Sequence, residues 1–259
     1  MTNLGSAFRL AAGTLTVWPA GAVGDLDTTV ARNAMLLGPV AVLPLALAAG
    51  AGAWIFDALG APDLVTGLAA VSVLALGTRA LHLDGLADTA DGLGSGWDRD
   101  KALAVMRRGD IGPMGVVALV IVIGLQVAAF GELARDIRGA VGLAVVICCS
   151  RAALAVVCLR GIPAARPQGL GEAVARSVPP FAAAIVWALV LAAMAAVTFV
   201  VDGFWLTGVV ATMLALVATA LLLRRCVVRL GGVTGDVMGA CVEVACTALA
   251  LGSVLQWPS

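Results

Sequence analysis

Several side chains that enzymes often use are scarce in this sequence, which has one His, no Tyr and, among 16 basic residues, a single Lys, Lys101. Metal sites built from several histidines and acid–base chemistry by tyrosine are therefore excluded. Charge is scarce as well, since charged residues make up 12% of the chain and cancel to a formal net charge of +0. A neutral chain of this kind does not indicate a nucleic-acid partner. Carboxylates and arginines are left to do the chemistry.

The six cysteines contain no C-x-x-C pair and mostly lie in or beside apolar stretches. Buried thiols behave as small hydrophobic side chains, and this spacing indicates neither a disulfide framework nor a zinc site. We therefore expect the cysteines to pack inside the protein; they are Cys148, Cys149, Cys158, Cys226, Cys241 and Cys246.

Apolar residues, in contrast, are abundant: the chain is 61% hydrophobic and has a mean hydropathy of +1.05. This composition excludes both an ordinary soluble enzyme and a disordered chain. A membrane-crossing helix needs about 20 apolar residues, and seven runs approach that length. The sequence predicts an all-α, polytopic membrane bundle of about seven helices, forming one catalytic domain over residues 1–259. The predicted spans are 35–56, 64–83, 111–131, 139–159, 181–201, 204–223 and 238–257.

Residues 1–34 precede the first span and contain a short apolar stretch, 10–23, which Pro19 and glycines interrupt. A segment of this kind is typical of a helix that lies in the membrane interface or re-enters the membrane. We therefore predict that residues 1–34 form an interfacial or re-entrant N-terminal segment.

Basic residues are distributed unevenly between the two sides of the predicted spans. Only Arg135 and Arg138 fall on one side. Lys and Arg accumulate in cytoplasmic loops, so we expect the N-terminus in the cytoplasm and the C-terminus outside. The basic residues on the cytoplasmic side are Arg9, Arg32, Arg99, Lys101, Arg107, Arg108, Arg160, Arg166, Arg176, Arg224, Arg225 and Arg229.

Arg79 and Arg151 lie inside predicted spans, where a charge is costly and is usually paired or functional. Arg79 is close enough to a span end to reach the interface. Arg151 is about 13 Å along a helix from Arg160, so it needs a partner, and Glu243 in the last span is a candidate. We count Arg151 and Glu243 among the candidate substrate-binding residues, with a purely structural pair as the alternative.

The segment 82–92, His-Leu-Asp-Gly-Leu-Ala-Asp-Thr-Ala-Asp-Gly, carries three carboxylates with helical spacing. Asp84, Asp88 and Asp91 share a helix face about 60° wide, and no basic residue lies three or four positions from them. Mg²⁺ is typically held by carboxylate oxygens together with substrate phosphates. We predict that these three residues are catalytic and bind Mg²⁺; a solvated acidic face is the alternative. His82, which begins the segment, is given no catalytic role.

Glycine-rich stretches recur on the cytoplasmic side, at 92–96, 169–171 and 231–239. The last one precedes a span, so its backbone N–H groups are placed to bind an anion at a helix N-terminus. The planar guanidinium groups of Arg107 and Arg166 suit phosphate. Ordinary turns between helices are the alternative for the glycines. The further candidate substrate-binding residues are Gly231, Gly232, Thr234, Gly235 and Asp236.

Together these features predict metal-assisted phosphoryl or phospho-alcohol transfer on the cytoplasmic side of a membrane. The alternative from another class is a transporter of an anionic or phosphorylated substrate. Transporters usually place ionisable residues near the bilayer midplane and contain inverted repeats. No convincing repeat is visible here, and the acidic segment lies at a span boundary, which favours the enzyme.

Segment 82–92 resembles the signature of the cobalamin synthase family, the adenosylcobinamide-GDP ribazoletransferases of vitamin B12 assembly. The resemblance continues in Met106-Arg107 and in the sequences Ile-Gly-Pro-Met-Gly at 111–115, Ala-Arg-Pro-Gln-Gly-Leu-Gly at 165–171 and Gly-Gly-Val-Thr-Gly-Asp-Val-Met-Gly-Ala at 231–240. The chain departs from the family pattern at Arg108, where members carry an acidic residue; here Asp110 follows two positions later.

The resemblance implies an enzyme of the bacterial inner membrane that needs Mg²⁺ and has its active site on the cytoplasmic face. It would join adenosylcobinamide-GDP to α-ribazole, or to α-ribazole 5′-phosphate, and release GMP. A ribose hydroxyl of the acceptor would attack the phosphorus attached to the cobinamide arm, and an aspartate of segment 82–92 would take the proton. The choice of acceptor, the division of roles among the aspartates and a homo-oligomeric state stay open.

Overall fold

The computed structural model describes residues 3–23 and 26–255, and within these ranges it contains thirteen helices and no strand. The predicted all-α class is therefore confirmed. The helices are α1 Asn3–Leu15, α2 Thr28–Ala41, α3 Leu43–Ala58, α4 Asp63–Gly77, α5 Leu81–Gly94, α6 Arg99–Val105, α7 Pro113–Leu133, α8 Ile137–Ser150, α9 Ala153–Val157, α10 Leu170–Val174, α11 Pro180–Asp202, α12 Trp205–Leu230 and α13 Gly235–Val254.

Six helical stretches of the described chain are long and apolar enough to cross a membrane, and the number rises to seven if α4 and α5 form one bent span. The predicted polytopic bundle is confirmed by this count. The predicted end of the last span at residue 257 lies outside the described residues. The six stretches are Thr28–Ala58, Pro113–Leu133, Ile137–Val157, Pro180–Asp202, Trp205–Leu230 and Gly235–Val254.

The prediction of one continuous span over 64–83 is wrong, because the chain bends by 90° between α4 and α5. Arg79 and Ala80 form the bend with φ angles of 56° and 54°, a left-handed conformation that costs about 1–2 kcal/mol per residue without glycine. Arg79 is consequently exposed in the bend, where its Nη2 donates to the carbonyl of Gly13 at 3.4 Å. The bend lets α5 leave the direction of α4 and pack against α13 as well as α7.

Two other spans are longer than predicted. The first begins at Thr28, where the Asp27 carboxylate accepts a hydrogen bond from the Val30 N–H at 2.7 Å and so caps the helix. α12 continues for two turns beyond residue 223 and ends at Leu230, followed by Gly231 as the C-cap with a φ of 76°. The continuous apolar runs stop short of the start of α2 and of the end of α12. Boundaries predicted from hydropathy alone therefore lie within these helices.

The helix at the N-terminus, α1, ends at Leu15, and the chain over 16–23 is not helical. α1 packs against α2. Its apolar face is therefore covered by the protein, at least on the side of Ala7 and Ala11, which are fully buried. The predicted boundary at residue 34 is too late, because residues 28–34 belong to the first span. That the segment before them lies in or re-enters the membrane interface stays a prediction.

Helices α4 and α7 run antiparallel at backbone contact distance. A Cβ on Gly67 would collide with the carbonyl of Val127, and one on Gly131 would collide with the carbonyl of Asp63. Small residues permit such approach between membrane helices. At the same end of the pair, Arg135 Nη2 lies 2.7 Å from Asp63 Oδ2. The pairing fixes α4 along α7 up to the bend.

Helix α13 is largely enclosed and packs against α5, α7, α8 and α12. Gly239 lets the backbone of His82 approach it, and Gly252 does the same for Ala211. All six cysteines are free; five are buried and Cys148 is partly buried, as the sequence predicted. The start of α13 thus meets α5 at the end of the bundle where α7 also begins.

Replacing Gly131 by Ala should destabilise the protein, because the new Cβ meets the backbone of Asp63. Overpacking of this kind costs about 1–3 kcal/mol, so we expect a lower thermal unfolding midpoint in detergent. Gly124→Ala on the same helix is the matched control, since nothing lies within 4 Å of its Cβ position. Equal midpoints for the two variants would contradict the close packing of α4 on α7.

Candidate active site

Helix α5 brings the acidic segment to the first turn of α13. Gly85 makes this possible, because a Cβ at that position would lie 2.9 Å from the Cα of Asp236. Asp84 and Asp88 lie one residue before and three residues after Gly85. They therefore stand beside Asp236, which is far away in sequence, 148 positions from Asp88. Three of the predicted site residues are brought together by this one helix contact.

The three aspartates of α5 occupy different environments: Asp84 is exposed, Asp88 is half-buried and Asp91 is buried. The carboxylate of Asp91 accepts hydrogen bonds from the N–H groups of Gly112 at 2.6 Å and Gly115 at 2.9 Å. These donors belong to the first turn of α7, whose N–H groups have no partner within the helix. Asp91 therefore caps α7 from a neighbouring helix. Its predicted roles in catalysis and metal binding stay predictions.

Asp88 is surrounded by like charges. Besides the partial burial of its carboxyl group, the charges of Asp84, Asp236 and Asp91 all disfavour its ionised form, and only Arg166 opposes them. Such crowding is costly unless a cation lies among the carboxylates. The arrangement therefore favours a site that receives positive charge from a ligand or metal.

Asp236 is held in the first turn of α13, which begins at Gly235. The Thr234 hydroxyl accepts from the Val237 N–H at 3.2 Å and so caps the helix, and it donates to Asp236 Oδ2 at 3.1 Å. Arg166 Nη1 lies 3.9 Å from the same oxygen. The predicted substrate-binding residues Thr234 and Asp236 are thus placed beside Arg166.

Arg166 lies between the acidic residues and α6. Its Nη2 donates to the carbonyl of Leu103 at 3.1 Å. Burial lowers the pKa of Arg166, the charges of Asp236 and Asp88 raise it, and the nearby charge of Arg107 lowers it. Because an arginine side chain is not deprotonated in proteins, the group stays cationic. Arg107 and Arg166, both predicted to contact phosphate, are therefore neighbours.

Gly231 and Gly232 lie in the loop after α12, which packs against the loop that carries Arg166. Gly232 lies so close to the carbonyl of Pro163 that a Cβ would collide with it. Beside it, the Val233 N–H donates to Pro163 at 2.9 Å and the Ala165 N–H donates to the Val233 carbonyl at 2.8 Å. This pairing holds the loop that carries Arg166. Phosphate binding by Gly231, Gly232 and Gly235 stays a prediction.

The donor set fits a hard divalent cation that arrives with its substrate. Among residues 3–23 and 26–255, no three Asp, Glu, His or Cys side chains converge into a ready metal site. Mg²⁺, however, is usually bound by one or two carboxylates, with substrate phosphates and waters as the other ligands. Asp84, Asp88 and Asp236 supply carboxylate oxygens of the required chemistry.

Arg151 and Glu243 lie inside the bundle and do not form the direct ion pair that the sequence suggested. Arg151 Nη1 donates to the carbonyl of Ile147 at 3.0 Å and to Ser150 Oγ at 2.8 Å. Glu243 Oε2 accepts from Gln126 Nε2 at 2.7 Å. Both residues line one small internal cavity. Their roles in substrate binding stay predictions.

Two polar residues, Gln126 and Arg99, were not among the candidates that the sequence indicated. Gln126 is a lone amide within the apolar run of α7, and such an isolated polar residue can be recognised in the sequence. Arg99 Nε donates to the carbonyl of Leu230 at 2.8 Å and its Nη2 to that of Ala165 at 2.8 Å. These contacts join distant parts of the chain, so no local spacing predicts them.

Replacing Asp91 by Asn should lower the stability of the protein, because the amide keeps one acceptor oxygen and turns its NH₂ group towards the second N–H. Hydrogen bonds to a charged group are worth about 1.5–3 kcal/mol, so the unfolding midpoint in metal-free detergent should fall. Asp88→Asn is the matched control and should not lower the midpoint, since it relieves charge crowding. A loss of stability in the control alone would contradict the capping role of Asp91.

The family model described as cobalamin-5-phosphate synthase matches residues 7–254. The adenosylcobinamide-GDP ribazoletransferase of Nocardioides sp. (strain JS614) is 44% identical over 97% of this chain and 97% of its own length. The proteins of the same name from Frankia casuarinae and Bradyrhizobium diazoefficiens are each 36% identical, over 100% and 92% of this chain and 96% and 89% of their own lengths. No solved structure matches the chain. These matches show that the chain belongs to the cobalamin-5-phosphate synthase family.

Proposed function

We propose that the protein is an adenosylcobinamide-GDP ribazoletransferase, with α-ribazole or α-ribazole 5′-phosphate as the acceptor. Relatives of that name match the chain over almost its whole length. The observation that carries the proposal is the meeting of Asp84 and Asp88 with Asp236 and Arg166 where α5 crosses the start of α13. Carboxylates for a cation beside arginines for phosphate form the set that phosphoryl transfer requires.

Mg²⁺ is the proposed cofactor; when bound, it would neutralise the pyrophosphate and draw charge from the phosphorus that is attacked. Asp84 and Asp88 would hold it, with Asp236 as a further carboxylate. Asp91 fixes the position of α5 through its bonds to α7. The protein's task is then to position the substrate's phosphates and to balance their charge.

The proposed transfer has a simple balance of bonds. The acceptor's ribose hydroxyl oxygen forms a bond to the phosphorus on the cobinamide arm, and the bond from that phosphorus to the bridging oxygen breaks. GMP leaves with the bridging oxygen, and an aspartate among Asp84, Asp88 and Asp91 takes the hydroxyl proton. Arg107 and Arg166 offset the negative charge that develops on the leaving phosphate.

We also propose that the site faces the cytoplasm from the bacterial inner membrane. Arg99, Arg107 and Arg166 gather at one end of the bundle, beside the acidic cluster that Asp84, Asp88 and Asp236 form. Arg135 lies at the end where α4 begins. The excess of basic residues marks the cytoplasmic side of membrane proteins. On this orientation the N-terminus is cytoplasmic too.

Replacing Asp84 or Asp88 by Asn should reduce GMP release from adenosylcobinamide-GDP and α-ribazole by about 100-fold or more, because metal binding or proton transfer is lost. The assay uses detergent-purified protein with and without Mg²⁺, and GMP is measured by chromatography. Asp57→Asn, at the end of α3, is the control for loss of one carboxylate. Wild-type turnover in both site variants would refute the metal site, and uptake into proteoliposomes without GMP release would favour a transporter.

A cysteine introduced at Ser95, directly after α5, should react with a membrane-impermeant maleimide only from the cytoplasmic side. Arg138→Cys, at the start of α8, should react only from outside and serves as the matched control. The background is low because five native cysteines are buried and Cys148 is partly buried. If position 95 reacted only from outside and position 138 only from the cytoplasmic side, the proposed orientation would be wrong.

A further inference from the structure

A large cavity with basic walls lies between α6 and the loop that follows α9. Its volume is about 670 Å³, within the range of roughly 300–1,000 Å³ that small-molecule sites occupy. Arg99, Arg107 and Arg166 line it, together with Gln168, and Asp100 is the one acidic residue in its wall. Three cations against one carboxylate make the cavity suited to an anion of nucleotide size.

The arginines of this cavity are held in place but keep donors for a ligand. Arg99 is fixed by the carbonyls of Leu230 and Ala165, and Gly231 makes room for it, since a Cβ there would lie 2.7 Å from Arg99 Nε. Its Nη1 lies 3.6 Å from the exposed carboxylate of Asp100. Arg107 makes a weak bond of 3.4 Å to its own helix. A guanidinium has five N–H donors, so each group can still bind phosphate.

Arg166 connects this basic cavity to the acidic cluster. It lines the cavity, and its Nη1 is 3.9 Å from Asp236. Asp84 and Asp88 line a second cavity of about 290 Å³ together with Asp110, and its remaining wall is apolar and includes Leu119 and Ile123. The acidic cluster therefore adjoins two cavities of different chemistry, one lined by arginines and one lined by aspartates and apolar side chains.

The different chemistry of the two cavities indicates where the leaving group and the acceptor bind. In phosphoryl transfer the attacking and leaving oxygens lie roughly in line, on opposite sides of the phosphorus. A leaving nucleotide needs cations for its phosphate, which the basic cavity supplies. The attacking hydroxyl needs a carboxylate to take its proton, which Asp84 and Asp88 supply in the other cavity.

We infer that the cavity lined by Arg99, Arg107 and Arg166 binds the nucleoside monophosphate leaving group, and that the acceptor approaches from the cavity lined by Asp84 and Asp88. The inference rests on the proposed function. It orients the pyrophosphate so that its nucleotide end lies in the cavity lined by the arginines. Arg99 and Gln168 become nucleotide-binding residues; Gln168 lies within the motif at 165–171, and Arg99 lies outside every motif.

The first test is inhibition by the product. Arg107→Gln should weaken inhibition by GMP about tenfold or more, because one charged hydrogen bond to phosphate is lost. Arg108→Gln removes the same charge from the next residue, which does not line the cavity, and should keep the wild-type inhibition constant. Equal inhibition constants for the two variants would overturn the inference. Absence of GMP release by the wild type would instead refute the proposed function.

The second test does not depend on turnover. A cysteine at Gln168 should react more slowly with maleimide when GMP is present, and inorganic phosphate at the same concentration should protect it less. The control, Arg108→Cys, should react equally fast with and without GMP. Labelling at 168 that GMP leaves unchanged would overturn the inference, and equal protection by inorganic phosphate would refute its nucleoside part.

Discussion

The contact between the Asp91 carboxylate and the first turn of α7 is the constraint on which the site depends. It satisfies two backbone N–H groups that would otherwise lack a partner, and it fixes α5 near its C-terminal end. The bend at Arg79 and Ala80 fixes the other end. Because a helix turns rigidly as one unit, holding it at both ends also sets the direction in which Asp84 and Asp88 point.

This arrangement carries costs that the rest of the fold must offset. Arg79 and Ala80 adopt positive φ angles although neither is a glycine, and three other carboxylates lie around Asp88. Strain and like-charge repulsion of this kind persist where surrounding packing enforces them. Here the packing is close backbone contact, at Gly85 against Asp236 and at Gly239 against His82. The stability of the bundle thus keeps the acidic residues in a state that favours a cationic ligand.

Much of the fold could be predicted from the sequence, because seven apolar runs and one acidic helix face are periodic, local features. The bend at Arg79 and Ala80 could not be, because neither residue with positive φ is a glycine and no proline interrupts the run, although Gly77 ends α4 directly before the bend. Periodicity showed that Asp91 shares a face with Asp84, but a helix face does not reveal which backbone packs against it. Asp91 and Gly112 are 21 positions apart, so its capping role depends on tertiary structure.

The buried polar residues beneath the site act on the same three helices. Glu243 of α13 accepts from Gln126 of α7, and its other carboxylate oxygen lies 3.9 Å from Nδ1 of His82 on α5. Polar groups are costly in the membrane interior unless they are satisfied by one another, so any rotation of these helices that separated them would be opposed. Gln126 and Glu243 therefore join α7 to α13 within the bundle, while α5 is held at its end by Asp91 against α7 and by Gly85 against Asp236 of α13. Contacts with two helices fix both the position and the rotation of α5, which a single contact could not do.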